Sequence, residues 1–263
     1  MPMAKLPDAD LHYDIIGSGP PLLLVSGLGG VASYWEPNLQ GLAQHFTLIR
    51  YDHRGCGGST RSEGSTSVEA MADDLVQLID VIGLERVSLL GHSTGGAIGQ
   101  IVAARAPARI EHLLLYASWA VLCPQMKQCL ELRKQALQLA GPPAYHRASP
   151  VFLYPPRYTC ENWPVLEREW EGAVRSATDA SILEARVDAI MAFDGMPYLP
   201  GISAPTTFMV ADDDILTPPL CSDVLVGGIE GATLKRFSYG AHAVSRVEPD
   251  TFNSAVVAAL GAR

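Results

Sequence analysis

Short runs of nearly continuous apolar residues alternate along the chain with stretches whose apolar positions recur at helical spacing. Pro21-Leu-Leu-Leu-Val-Ser26, Phe46-Thr-Leu-Ile-Arg-Tyr51, Val87-Ser-Leu-Leu90 and Ile110-Glu-His-Leu-Leu-Leu-Tyr116 read as strands. A strand covered on both faces loses the polar alternation of a half-exposed one. Leu11 to Ile16 precedes them as an edge strand, set off by the turn Gly17-Ser-Gly-Pro20. Helices are expected from about Ser33 to Gln44, from about Ser67 to Ile82, and from Gly96 to near Pro107. Such alternation implies a parallel sheet with helices on its faces. From about Ser118 to Pro200 it stops, leaving helical patterns with proline punctuation at Pro142-Pro143 and Pro155-Pro156. An insertion of that length belongs over the carboxyl edge of the sheet as a cap. Strands resume at Thr206-Thr-Phe-Met-Val210 and Thr233-Leu-Lys-Arg-Phe237, and a last helix runs from about Asp250 to Leu260. The expected fold class is α/β, a mostly parallel twisted sheet flanked by helices, with residues 1–117 and 201–263 as core and 118–200 as a helical cap.

Composition narrows the partners. The 263 residues are 48% hydrophobic, enough for a sizeable core, and carry a formal net charge of -9. That field repels phosphate and argues against nucleic acid or an anionic membrane as a partner. Cys56, Cys123, Cys129, Cys160 and Cys221 have no C-x-x-C spacing and an odd count, which fits a reducing compartment. The amino terminus lacks an apolar signal core, and the run Leu113 to Cys123 is too short to span a bilayer. The expectation is a soluble cytoplasmic protein acting on a small molecule, with its oligomeric state open.

The chemistry concentrates at Gly91-His92-Ser93-Thr94-Gly95, between a buried strand and a helix. The pattern G-x-S-x-G at a strand-to-helix turn is a nucleophile elbow, whose glycines permit a strained turn that exposes the serine hydroxyl. A serine needs a base and a group to orient that base. His242, in Tyr239-Gly-Ala-His-Ala243 after the last strand, can reach back over Ser93. An acid should follow the preceding strand, where Asp212, Asp213 and Asp214 stand side by side. The oxyanion formed by attack requires preorganised donors. The backbone N–H of Thr94 is one, and that of Leu28, in Ser26-Gly-Leu-Gly-Gly30, is the other. His53 and His92 are tempting as bases, but packing roles suit them better. No carboxylate-histidine cluster has zinc-ligand spacing, so neither metal nor cofactor is expected.

With serine, acid, histidine and glycine loop in this order, the chain resembles the α/β-hydrolase superfamily over nearly all its length outside the cap. Several segments are closer to the aminoacrylate hydrolases of bacterial pyrimidine utilisation: Val25-Ser-Gly-Leu-Gly-Gly30, Ser33-Tyr-Trp35, Phe152-Leu-Tyr-Pro155, Tyr239-Gly-Ala-His242 and Pro249-Asp-Thr-Phe-Asn253. Enol-lactone hydrolases are the next resemblance. It implies Asp214 as the acid, three residues after the small residue Ala211, with Asp213 as the rival and Asp212 solvating the loop or capping the next helix. It also implies a structural role for Asp52 and Arg54 in Asp52-His-Arg-Gly-Cys-Gly-Gly-Ser59. Most members have histidine where this chain has Ser26, so the glycine loop must be held by a different hydrogen bond. The implied activity is a serine hydrolase for a small carboxylic ester, enol lactone or activated amide. The same triad also serves carbon-carbon hydrolysis, cofactor-free oxygenation and perhydrolysis, and an inert binding protein is the third class.

Two arginines interrupt apolar stripes of the cap. Arg133 shares a helix face with Met126, Leu130, Leu137 and Ala140, and Arg186 with Ile182, Ala189 and Phe193. A cation there is costly unless paired. Each either bridges to a core carboxylate, Asp194 being a candidate, or binds a substrate carboxylate at the cap-core interface. Trp119, just beyond the strand ending at Tyr116, is expected close to the elbow as a further substrate-binding residue. Tyr34, Trp35, Phe152 and Tyr154 either line the pocket or fill the cap.

Overall fold

A computed structural model describes residues 2–60, 66–175 and 179–261. Eight strands form one sheet in the order β1-β2-β4-β3-β5-β6-β7-β8: β1 (Met3–Lys5), β2 (Asp10–Ile16), β3 (Pro21–Val25), β4 (Thr47–Tyr51), β5 (Val87–His92), β6 (Ile110–Tyr116), β7 (Thr206–Ala211) and β8 (Thr233–Phe237). Pairing is antiparallel for β1 with β2 and β2 with β4, and parallel from β4 onward. The expected edge strand is therefore second from the edge. Met3–Lys5 covers it, with Ala4 opposite Leu11, and three residues are too few to show a period.

The strands are apolar because both faces are packed. In β3, Leu23 and Val25 join the core beneath helices α2 (Val68–Val81) and α3 (Thr94–Arg105), while Leu22 and Leu24 join the core holding Trp35 and Phe252. Strand β5 runs two residues beyond the expected end, because Gly91 pairs with both Val25 and Leu115 and His92 pairs with Tyr116. The elbow is thus carried at the carboxyl edge. The segment expected as one helix from Ser33 splits into a single 3-10 turn, Ala32–Trp35, and α1 (Glu36–Leu42), with Pro37 in its first turn.

Between β6 and β7 lie α4 (Pro124–Leu153), α5 (Pro156–Arg175) and α6 (Ala180–Ala192), with no strand among the described residues there. Helix α4 breaks at Gly141, whose φ of 75° precedes Pro142-Pro143, as proline restricts the residue before it and removes a donor. The chain closes with α7 (Pro219–Gly228), the helix expected after the three aspartates, α8 (Val244–Val247) and α9 (Pro249–Ala259). Among the described residues no helix is long and apolar enough to cross a membrane.

Candidate active site

Ser93 has φ 52° and ψ -114°, a conformation that costs a non-glycine residue on the order of 1–3 kcal/mol. Neighbours hold it there: its N–H donates to the Tyr116 carbonyl at 2.8 Å, and its own carbonyl accepts from the Ser118 hydroxyl at 3.0 Å. A Cβ at position 91 would strike the Gly95 carbonyl, and one at position 95 the Val25 carbonyl. The elbow glycines are there because backbone passes where side chains would be.

His242 sits on a turn formed by Gly240 and Ala241, both with positive φ. Its Nδ1 lies 2.9 Å from Asp214 Oδ2 and 3.1 Å from the Thr217 hydroxyl. Asp214 is fully engaged, since Oδ1 accepts from the N–H groups of Leu216 (2.8 Å) and Thr217 (2.9 Å) and Oδ2 from the Thr217 hydroxyl (2.8 Å). Both Asp214 and His242 are buried. An anion so held keeps the Nδ1–H tautomer and leaves Nε2 as the basic nitrogen.

The other two aspartates have separate tasks. Asp213 Oδ1 accepts from Ala241 N–H at 2.7 Å, fixing the backbone before His242, and Asp212 pairs with Arg236 of β8 at 2.6 Å rather than capping α7. Two groups that sequence reasoning did not assign to the site hold His242 from behind. The Tyr116 hydroxyl and His92 Nε2–H both donate to its carbonyl, at 2.9 and 3.0 Å. Burial, then the nearby His242, holds the His92 pKa well below the ordinary histidine value, so His92 is a neutral donor.

The loop after β3 passes directly over the serine. A Cβ at Gly27 would lie 3.0 Å from His92 Nδ1 and 3.2 Å from Ser93 Cβ, so glycine sets the distance of closest approach. Among the described residues Ser26 Oγ has no hydrogen-bond partner. The loop is held instead by Asp52 Oδ1, which accepts from Ala32 N–H at 2.7 Å, and by Arg186, whose Nε donates to the Leu28 carbonyl at 2.9 Å. Thr94 N–H opens helix α3, where first-turn donors lack helical acceptors.

Ser93, His242 and Leu28 face a cavity of about 710 Å³, roofed by Met126 and Leu130 of α4 and Leu183 and Ile190 of α6. Among the described residues no hydrogen bond joins Ser93 Oγ to the His242 ring. Tyr34 and Tyr154 are in the wall, and Tyr34 stacks on His92 with ring centroids 4.4 Å apart. Trp35 is core. Trp119 does not line the cavity: it is fully buried, with its ring edge-on to Phe193. Ala117, with φ 48°, turns the chain after β6, and strand-end adjacency cannot tell which way such a turn sends the next ring.

The arginines part company. Neither has a carboxylate within ion-pair distance among the described residues, and Asp194 accepts from Met196 N–H instead. Arg186 leaves the cavity wall for the glycine loop, donating to Leu28 and, through a terminal nitrogen, to His53 Nδ1 at 3.0 Å. Arg133 stays in the wall, 5% exposed. It donates to the Tyr145 and Ser149 hydroxyls (2.8 and 3.2 Å), stands 4.8 Å over the Tyr145 ring, and has no partner at Nε among the described residues. Arg246, also in the wall, is neutralised by Glu169 at 2.6 Å.

Residues 20–141 match the family model described as alpha/beta hydrolase fold. Over 261 residues, 99% of this chain and 98% of the relative, the sequence is 41% identical to the "Putative carbamate hydrolase RutD" of Azorhizobium caulinodans. The chain belongs to the α/β-hydrolase superfamily. Among solved structures, this hydrolase resembles the enol-lactonase from Burkholderia xenovorans LB400, with a TM-score of 0.89, 28% identity and coverage of 99% of this chain and 100% of that one. It is equally similar to a hydrolase from Pseudomonas aeruginosa, with a TM-score of 0.88, 30% identity and coverage of 98% and 97%.

Proposed function

We propose that this hydrolase cleaves a small carboxylic ester, enol lactone or activated amide bearing a carboxylate, through an acyl-enzyme on Ser93. The observation that carries this reading is the convergence on one cavity of a strained serine, an Asp214-held histidine and a buried arginine without an anionic partner among the described residues. Ser93 Oγ attacks the carbonyl carbon as its proton passes to His242 Nε2, contact tightening once substrate fills the cavity. Negative charge develops on the carbonyl oxygen against the N–H groups of Leu28 and Thr94. Collapse breaks the bond to the leaving group, which takes the proton from the imidazolium. Water, deprotonated by the same nitrogen, then releases the acid.

Arg133 supplies the recognition. Its cost of burial is offset when a substrate carboxylate meets the guanidinium, which has no carboxylate partner among the described residues, whereas Arg246 already has its anion. A carbamate, the compound named for the RutD relatives, and an enol lactone are both small acyl compounds that suit such a site. In this reading residues 1–117 and 201–263 form the core and 118–200 the cap. The five thiols, all free, suit a reducing cytoplasm.

A fluorophosphonate should label Ser93, and Ser93→Ala should abolish turnover of an activated acetate ester; persisting turnover in pure Ser93→Ala protein would overturn the mechanism. For Arg133→Met, KM for a carboxylate-bearing ester should rise roughly tenfold or more, as for a lost charged hydrogen bond. KM for the uncharged analogue should stay within about twofold. Equal changes for both esters would remove Arg133 from recognition.

A further inference from the structure

The glycine loop over Ser93 contains almost nothing that could hold its own shape. Gly27, Gly29 and Gly30 have no side chains, Leu28 has no polar group, and Ser26 Oγ is unpartnered among the described residues. Two contacts replace what side chains would do. Gly30 N–H closes a turn onto the Gly27 carbonyl at 2.9 Å. In a planar trans peptide the Gly27 carbonyl and Leu28 N–H point oppositely, so this bond sets the direction of that donor. The Leu28 carbonyl, on the next peptide, accepts from Arg186 Nε. Together the two bonds restrain both peptide planes flanking Leu28.

Arg186 comes from α6, separated from Leu28 by 158 positions. Its guanidinium is 1% exposed and touches no carboxylate among the described residues. Its other acceptor is the Nδ1 lone pair of His53, a residue whose backbone N–H donates to the Gly30 carbonyl at 2.7 Å. A Cβ at Gly30 would lie 2.9 Å from the guanidinium, so glycine there leaves room for the arginine. A buried cation bonded to Leu28 directly and linked to Gly30 through His53 is placed to hold the Leu28–Gly30 segment.

We propose that Arg186 is a positioning residue for the oxyanion site: a guanidinium carried by α6 that fixes the Leu28 peptide, so that the donor is aligned only while α6 is seated over the sheet edge. The inference rests on the acyl-enzyme reading above and adds to it the coupling of cap to oxyanion loop. A bond that aligns a donor for developing charge affects the transition state more than the bound substrate.

The test uses the full chain with Arg186→Met and Arg186→Lys, measuring kcat and KM on an activated ester, inhibition by an alkylboronic acid that forms a tetrahedral adduct with serine, and thermal unfolding. Arg186→Met should lower kcat by roughly 10- to 100-fold, somewhat less than deleting an oxyanion donor outright. KM should change less than about twofold, and boronate affinity should fall in parallel with kcat. Arg186→Lys, which keeps a cation able to reach one carbonyl, should recover part of both, and serves as the test if the Met variant does not fold. Unchanged kcat and boronate affinity with only a lower unfolding temperature would overturn the proposal. If wild-type Ser93 resists fluorophosphonate, the acyl-enzyme reading fails; if Ser93 is labelled and the variants keep full kcat, only the role of Arg186 fails.

Discussion

Three adjacent aspartates show how little residue type says about role. Asp212 faces Arg236 in solvent, Asp213 ties down the Ala241 backbone, and only Asp214 reaches the imidazole. Position within the loop after β7 separates them. Replacing Asp214 by Asn should leave the fold intact but invert the favoured tautomer of His242, lowering kcat on the order of 10⁴-fold in steady-state assays. Thr217→Val removes one of four donors to the same carboxylate, the imidazole included. A far smaller loss is expected, roughly 3- to 10-fold in kcat, equivalent to about 1 kcal/mol for one hydrogen bond. A loss as deep as that of Asp214→Asn would mean that Thr217 does more than buttress. Ser93 and His242 could be placed from the chain because each follows a strand end, whereas Asp214 is separated from Asp212 and Asp213 only by resemblance to related hydrolases. Thr217, Tyr116 and His92 carry no such mark.

At the scale of elements, the close approach of β5, β3 and α3 is set by glycines. Gly91→Ala would drive a methyl into the Gly95 carbonyl at the start of α3, and Gly95→Ala one into the Val25 carbonyl of β3, so relief requires moving α3 off the sheet or unpairing β3 from β5. Either should cost several kcal/mol or yield insoluble protein, whereas Gly172→Ala, with nothing near its Cβ position, should be neutral or slightly stabilising by helix propensity, within about 1 kcal/mol. Denaturant titration of the three variants checks this ordering. Except for the short β1 and α8, strand and helix existence followed from the sequence pattern, while boundaries moved where tertiary contacts decided them. The two extra residues of β5 exist because strands lie on both sides, and Gly141 interrupts α4 where two prolines follow.

For the whole molecule, acid should be a weakness with a definite origin. His53 is held well below the ordinary histidine value of 6.5, first by burial and then by the Arg186 cation, and His92 is depressed likewise. A depressed folded-state value means that the unfolded chain binds more protons below about pH 6.5, so stability from these residues is complete above that pH and is lost as pH falls further. His53→Gln keeps an acceptor for Arg186 and should flatten the decline in unfolding temperature between about pH 6.5 and 5. An unchanged slope would place the acid sensitivity elsewhere. The sequence by itself determined the layered architecture, the chain order of Ser93, Asp214 and His242, and the glycines of the elbow, because these follow from local periodicity and from the steric demands of single turns. Only the tertiary structure decided where Trp119, Arg133 and Arg186 went. Each side chain's destination depends on how α4 and α6 settle over the sheet, and a helical stripe records that a face is buried without recording against what.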